Sequence, residues 1–226
     1  MSLTDEGSLA LAEAVAASVA GVTTRRLDFF SLLDLGPAPL LAALGAALQK
    51  GGPGPSFELM VGGYNEEEAV AVLGALAAVL GRVSFLRLPI YGVCVLVVRS
   101  QALRRLEMSF WGEAAQQLPP VRFEAAPALE SVLLNFVIPS EAAPMLAALA
   151  SNPNLPALRA VDLTVVQEGP VTWFSRPPHP GPLAPLADGL RRALEQRAGG
   201  AVGKWRVEVE SEPTERKRGL IRAWRP

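Results

Sequence analysis

Apolar residues recur along this chain in one short spacing, apolar-x-x-apolar-x-apolar. It is found at Val83, Leu86, Leu88, at Leu103, Leu106, Met108, at Leu129, Val132, Leu134, at Leu158, Val161, Leu163 and at Val202, Trp205, Val207. Two degenerate copies precede these, centred on Leu27, Phe29 and on Phe57, Leu59. Taking the middle apolar residue as a rung gives rungs at 27, 57, 86, 106, 132, 161 and 205, at intervals of 30, 29, 20, 26, 29 and 44 residues. Self-similarity at such a period is the mark of stacked repeats, each one supersecondary unit. The 20-residue interval is too short for a full helix, and the 44-residue one contains an insertion.

Between rungs the period changes to that of a helix. Helices are predicted at residues 8–19, 37–49, 65–80, 140–150 and 183–198. Asn65 before Glu66, Glu67 and Glu68 supplies an N-cap and then acids at the positive end of the helix dipole. Ser140 with Glu141 repeats that start, and Pro37 and Pro39 suit a first helical turn. Leu155-Pro156 and Gly199-Gly200 mark helix exits. Strands alternating with helices imply a parallel sheet covered by helices. In a stacked array the strands line the concave face, the helices form the convex one, and neighbours supply each unit's core. Leu88, Leu106, Val132, Val161 and Leu163 are expected in that core.

Leu9-Ala10-Leu11-Ala12-Glu13-Ala14-Val15 leading to Arg26-Leu27-Asp28-Phe29 resembles the ribonuclease-inhibitor subclass of leucine-rich repeats. Glu68-Ala69-Val70-Ala71-Val72-Leu73-Gly74-Ala75-Leu76 leading to Leu86-Arg87-Leu88 is similar. The resemblance spans about residues 8 to 210. It implies an α/β leucine-rich-repeat solenoid over residues 1–210, with parallel strands on the concave face and helices on the convex face. A proline-rich insertion occupies 170–185, and 211–226 form a basic C-terminal tail or cap. The chain departs from the family three residues past the last strand leucine, where the family carries Asn or Cys. Here those positions hold Leu32, Gly62, Tyr91, Trp111, Val137 and Val166, so a polar ladder along the turns is not expected.

Composition narrows the function. Half the residues are hydrophobic, ample for a buried core. A net charge of −1 provides no global field for nucleic acid. One cysteine, Cys94, precludes an internal disulfide and favours a reducing compartment. The longest apolar candidate, Ala69 to Leu80, falls short of the roughly 20 residues of a membrane span. The expectation is a cytoplasmic protein with no membrane span.

The ionisable residues argue against an enzyme. His179 is the only histidine and stands in Arg-Pro-Pro-His-Pro-Gly-Pro, a loop that fixes a general base poorly. One histidine and one cysteine do not make a zinc site. Cys94 lies in Val93-Cys94-Val95-Leu96-Val97-Val98, among β-branched residues with no base nearby. Glu66, Glu67 and Glu68 are explained by helix capping. Gly51-Gly52-Pro53-Gly54-Pro55 lacks the Lys-Ser/Thr of a phosphate loop. No catalytic, cofactor or metal residue is therefore expected.

The residue between the last two apolar positions of each rung points away from the core. Along the rungs this gives Asp28, Glu58, Arg87, Glu107, Leu133, Asp162 and Arg206, a spatial row in which Glu58, Arg87 and Glu107 alternate in sign. Arg26, Phe30, Met60, Arg105, Ser109, Ser131, Asn135 and Thr164 flank it. Asp28, Glu58, Arg87, Arg105, Glu107, Asp162 and Arg206 are the candidate partner-binding residues. The expected function is a non-catalytic protein–protein interaction scaffold, binding an unidentified protein through the concave face or assembling into a larger complex. A row that merely pairs internally is an equal reading, although exposed pairs contribute only roughly 0–1 kcal/mol each. A structural subunit anchored by its tail is an alternative, and so is an α/β enzyme whose strands only imitate repeats. The tail carries Arg216, Lys217, Arg218, Arg222 and Arg225 with Trp224, the one place where nucleic acid enters consideration. Leu220, Ile221 and Trp224 would alternatively make it a final strand. Pro170 to Pro185, with Trp173 and Phe174, suits a flap or a docking loop.

Overall fold

A computed structural model describes residues 10, 13–14, 26–29, 37–50, 55–62, 64–91, 96–111, 121–137, 145, 149, 152–165, 188, 191, 206–211 and 219–224. Its elements are β1 (Arg26–Phe29), α1 (Pro37–Lys50), β2 (Phe57–Val61), α2 (Glu66–Leu76), β3 (Val83–Tyr91), β4 (Leu96–Arg99) and β5 (Arg105–Trp111), followed by β6 (Val121–Ala125), β7 (Ser131–Val137), β8 (Ala160–Val165), β9 (Arg206–Ser211) and β10 (Gly219–Trp224). Cys94, His179, the Gly51–Gly54 run and the 170–185 insertion lie outside the described residues. So does most of the predicted helices 8–19, 140–150 and 183–198, although Ala10, Glu13, Ala14, Met145, Leu149, Asp188 and Arg191 are helical.

The chain is α/β, built on a mostly parallel eight-stranded sheet in the order β1-β2-β3-β5-β7-β8-β10-β9. Every pairing from β1 to β8 is parallel, and β10 runs antiparallel to both β8 and β9. The rung placed at 205 is thereby corrected. Its strand does not continue the parallel series: β10 takes the place beside β8, and β9 folds back outside it. The connection from β3 to β5 contains β4 in place of a helix, and the next contains β6. These two pair in parallel as a separate two-stranded sheet. Leu96 and Val98 of β4 are buried and Val97 is exposed, the alternation of a strand covered on one side.

A single row of apolar residues crosses the packed face. Leu27, Leu59, Leu86, Leu106, Val132, Val161, Ala223 and Val207 are successive neighbours on adjacent strands. The rung on β2 is therefore Leu59 rather than Phe57. A slip of two residues preserves the face and changes the row, because side chains alternate with period two. Leu88, Leu106, Val132, Val161 and Leu163 are each no more than 2% exposed.

The helices follow from their caps and their apolar spacing. Asn65 Oδ1 accepts from Glu68 N, and Glu68 Oε2 accepts from Asn65 N, both at 3.1 Å. Ala69, Val72 and Leu76 form the buried stripe of α2. The helix stops at Leu76, short of the predicted Leu80. Bonds from Ala78 N to Ala75 O and from Val79 N to Leu76 O tighten the chain there, and a 3-10 turn follows at Leu80–Arg82. In α1, Leu40, Leu41, Leu44 and Leu48 are buried. Gly45 lets that helix approach closely, since a Cβ there would stand 2.7 Å from Ala78 Cβ.

Gly74, by contrast, has open space around it in α2. Gly45→Ala is thus expected to destabilise the chain by roughly 1–3 kcal/mol through overpacking. Gly74→Ala is expected to stabilise it by about 0.5–1 kcal/mol through helix propensity. Urea melts of the two variants check this, and changes of the same sign would contradict the packing of α1 against the turn after α2.

Candidate functional site

The sheet face opposite the packed row carries the outward-pointing residues predicted from sequence. Its central line is Asp28, Met60, Arg87, Glu107, Leu133, Asp162, Arg222 and Glu208, each opposite the next. Asp28, Arg87, Glu107 and Asp162 fall in it as expected. Glu58 does not: it shares a second line, Arg26, Glu58, Phe85, Arg105, Ser131, Ala160, Trp224 and Arg206. Met60 stands between Asp28 and Arg87 in its place, a consequence of the two-residue shift on β2. Arg206 is also corrected to the second line, at the far strand, because β10 intervenes and presents Arg222 to Asp162. A third line holds Pro89, Ser109, Asn135, Thr164 and Leu220.

Adjacent strands convert these lines into bonds. Arg87 Nε lies 3.1 Å from Glu107 Oε1, and Arg222 Nε donates to Asp162 Oδ1 at 3.1 Å. Asn135 Nδ2 reaches Glu107 Oε1 at 3.4 Å and Ser109 Oγ at 3.3 Å, and Thr164 Oγ1 donates to Asn135 Oδ1 at 3.0 Å. Glu107 is only 8% exposed although it lies on the open face. Its two donors explain how a carboxylate is tolerated there. Arg26 pairs with Asp28 of its own strand at 3.3 Å. Arg105 differs: among the described residues it has no carboxylate partner, and its guanidinium carbon lies 5.0 Å from the Phe85 ring centroid.

A second charged line runs along the strand entrances, two residues before each rung. Glu130 accepts from Arg104 at 3.3 Å and also pairs with Arg159. The backbone repeats the pattern: Arg104 N donates to Ser84 O, Glu130 N to Arg104 O and Arg159 N to Glu130 O, at 2.8–2.9 Å. The alternation Arg104, Glu130, Arg159 at one repeat position was available in the sequence, but the reading of outward strand positions passes over it. Phe85 was accessible too, since it precedes Leu86 as Arg105 precedes Leu106. Arg222 was not, because nothing in the parallel series announces an antiparallel return.

Where β1, β2, β3 and β5 meet, the open face has a depression of about 470 Å³. Arg26, Glu58, Met60, Ser84, Phe85, Arg87, Arg104, Arg105 and Glu107 line it. Ser84 is the extra residue of a β-bulge between β2 and β3, and its hydroxyl donates to Phe57 O at 3.1 Å. The bulge alters the local twist beside the depression. Among the described residues, no three His, Cys, Asp or Glu side chains are grouped to hold a metal ion, and no helix is long and apolar enough to cross a membrane.

Arg87 and Arg105 look equivalent in sequence and are unequal here. Arg87→Glu would set a second carboxylate beside buried Glu107, with an expected cost of roughly 1–3 kcal/mol. Arg105→Glu should cost less than about 1 kcal/mol, the scale of an exposed cation–π contact. Chemical denaturation of both variants distinguishes them, and equal losses would refute the special role of Glu107.

The chain matches no protein-family model, no curated protein and no solved structure.

Proposed function

We propose that this chain is a leucine-rich-repeat solenoid of the ribonuclease-inhibitor type, and that it binds a protein partner through a concave sheet face without catalysing a reaction. The observation that carries the reading is the continuous parallel pairing of β1, β2, β3, β5, β7 and β8. Chain order equals spatial order, and one apolar residue per strand falls on the same row. A stacked array of strand-led units has that property, whereas a doubly wound enzyme reverses its strand order at the site. The outward residues then form one extended surface of mixed charge, whose depression supplies a place for an inserted side chain. A reducing, cytoplasmic setting accompanies this reading, since the sequence holds a single cysteine.

The experiment is affinity capture from the native source with the immobilised chain, identifying what is bound. Two single variants, Arg105→Glu and Ser131→Arg, alter the open face, and Glu67→Lys alters α2 on the other side as a control. The expected result is a discrete set of proteins retained by the parent chain and by Glu67→Lys but reduced about ten-fold or more by each open-face variant, as befits an interface centre. Equal loss in all three variants, or no loss in the open-face pair, would reject this face as the binding surface. Circular dichroism melts of each variant establish that the fold is retained.

A further inference from the structure

We infer that the depression between β1, β2, β3 and β5 recognises an extended partner segment carrying an acidic residue beside an apolar one: the carboxylate on Arg105, the apolar side chain on Met60 and Phe85. The inference rests on reading this face as partner-binding and adds the chemistry of what it binds.

Charge bookkeeping around the depression points to Arg105. Four arginines line it against two glutamates, Glu58 and Glu107. Three of the arginines already have a carboxylate: Arg26 has Asp28, Arg87 has Glu107 and Arg104 has Glu130. Arg105 is exposed, has none among the described residues, and rests against the Phe85 ring instead. A guanidinium held against an aromatic ring has already lost part of its rotamer freedom, so less is lost when a ligand fixes it. Its donor fork matches a carboxylate, which would supply the partner that the other three arginines find within the chain.

The apolar half comes from the same lines. Met60 and Phe85 are diagonal to each other on β2 and β3, Met60 opposite Arg87 and Phe85 opposite Glu58, and both line the depression, Met60 as a buried floor residue. A methionine and an aromatic ring make an adaptable surface for a Leu, Met or Phe side chain. About 470 Å³ accommodates a few residues of an extended chain.

A continuous polyanion is the wrong ligand for this face. Asp28, Glu58, Glu107, Asp162 and Glu208 are interspersed along the two lines, so a strand of phosphates positioned on Arg105 would lie over carboxylates on either side. One isolated acid avoids that repulsion. The pattern on the face selects an acid with an uncharged neighbour, and like-charge juxtaposition rejects runs of acids.

The test is selection of a phage-displayed random twelve-residue peptide library on the full chain, followed by fluorescence anisotropy with the selected peptides and with a labelled oligo-dT of about 20 nucleotides. The expected consensus has Asp or Glu within two residues of Leu, Met or Phe. Binding of such peptides should fall about ten-fold or more in Arg105→Gln, fall less in Arg105→Lys, and be unchanged in Glu67→Lys. Oligo-dT should neither bind nor compete. A consensus without an acid whose binding is still lost in Ser131→Arg overturns the acidic-segment inference and leaves the binding face standing. Peptides insensitive to every open-face variant, or no enrichment at all, overturn both. Oligo-dT that competes with the peptides overturns the inference in favour of a polyanion.

Discussion

A parallel strand cannot reach its neighbour by a tight turn, so each unit of this chain must cross over the sheet before beginning the next strand. The helices α1 and α2 pack against one face, which becomes the core and presents an apolar residue from every strand. The row from Leu27 to Val207 is the result, and the remaining architecture follows from keeping it in phase. A one-residue slip of β5 would exchange Leu106 for Arg105 or Glu107 of the open face. The turns protect the phase. Buried Ser100 donates to Leu80 O at 2.6 Å and accepts from Leu103 N at 3.0 Å, tying the end of α2's turn to the entrance of β5. Backbone donors at residues 104, 130 and 159 repeat the arrangement from one strand entrance to the next.

That constraint explains what could be read from the chain alone. Leu86, Leu106, Val132 and Val161 were identifiable because burial on every strand leaves a fixed spacing at each entrance. The face of Glu58 was identifiable for the same reason, but its line was not. Phe57, Leu59 and Val61 are all buried, so three phases fit the local pattern, and only pairing with Leu27 and Leu86 selects one. The connections were harder. A crossover needs only to be apolar toward the sheet, and β4 meets that requirement with Leu96 and Val98 as well as a helix would. No Asn or Cys stands at Gly62, Tyr91 or Val137 to bond the turns, and one turn is tied in another way: Tyr64 donates its hydroxyl to Pro89 O and meets Tyr91 edge-on, with ring centroids 5.3 Å apart.

Beyond β8 the sheet changes direction: β10 pairs antiparallel with β8, and β9 forms the edge outside it. Ile221 and Ala223 are buried, while Arg222 on the alternate face takes Asp162 as its partner. The apolar positions Leu220, Ile221 and Trp224 had suggested such a closing strand, whereas the rung at 205 had suggested continuation. The chain has reversed direction by β10, which pairs directly with β8 and places Ile221 and Ala223 opposite Leu163 and Val161. The basic character of the C-terminal region is thus divided: Arg222 is committed to the sheet, and Arg216, Lys217, Arg218 and Arg225 lie outside the described residues.

On the open face the same geometry distributes charge. Strands about 4.8 Å apart bring facing side chains within bonding range, so a line of alternating sign pairs with itself. Wherever that happens, the ions are occupied and the face is cohesive more than receptive. Arg87 is of this kind: its partner Glu107 is buried and also bonded by Asn135, so the pair belongs to the sheet as much as to any ligand. Arg105 escapes because its neighbours across the strands are Phe85 and Ser131, neither of which is charged. The distinction between Arg87 and Arg105 therefore comes from the neighbouring strands. A substitution that alters those neighbours, by placing an acid at position 85 or 131, would satisfy Arg105 from within and close the cationic position beside the depression.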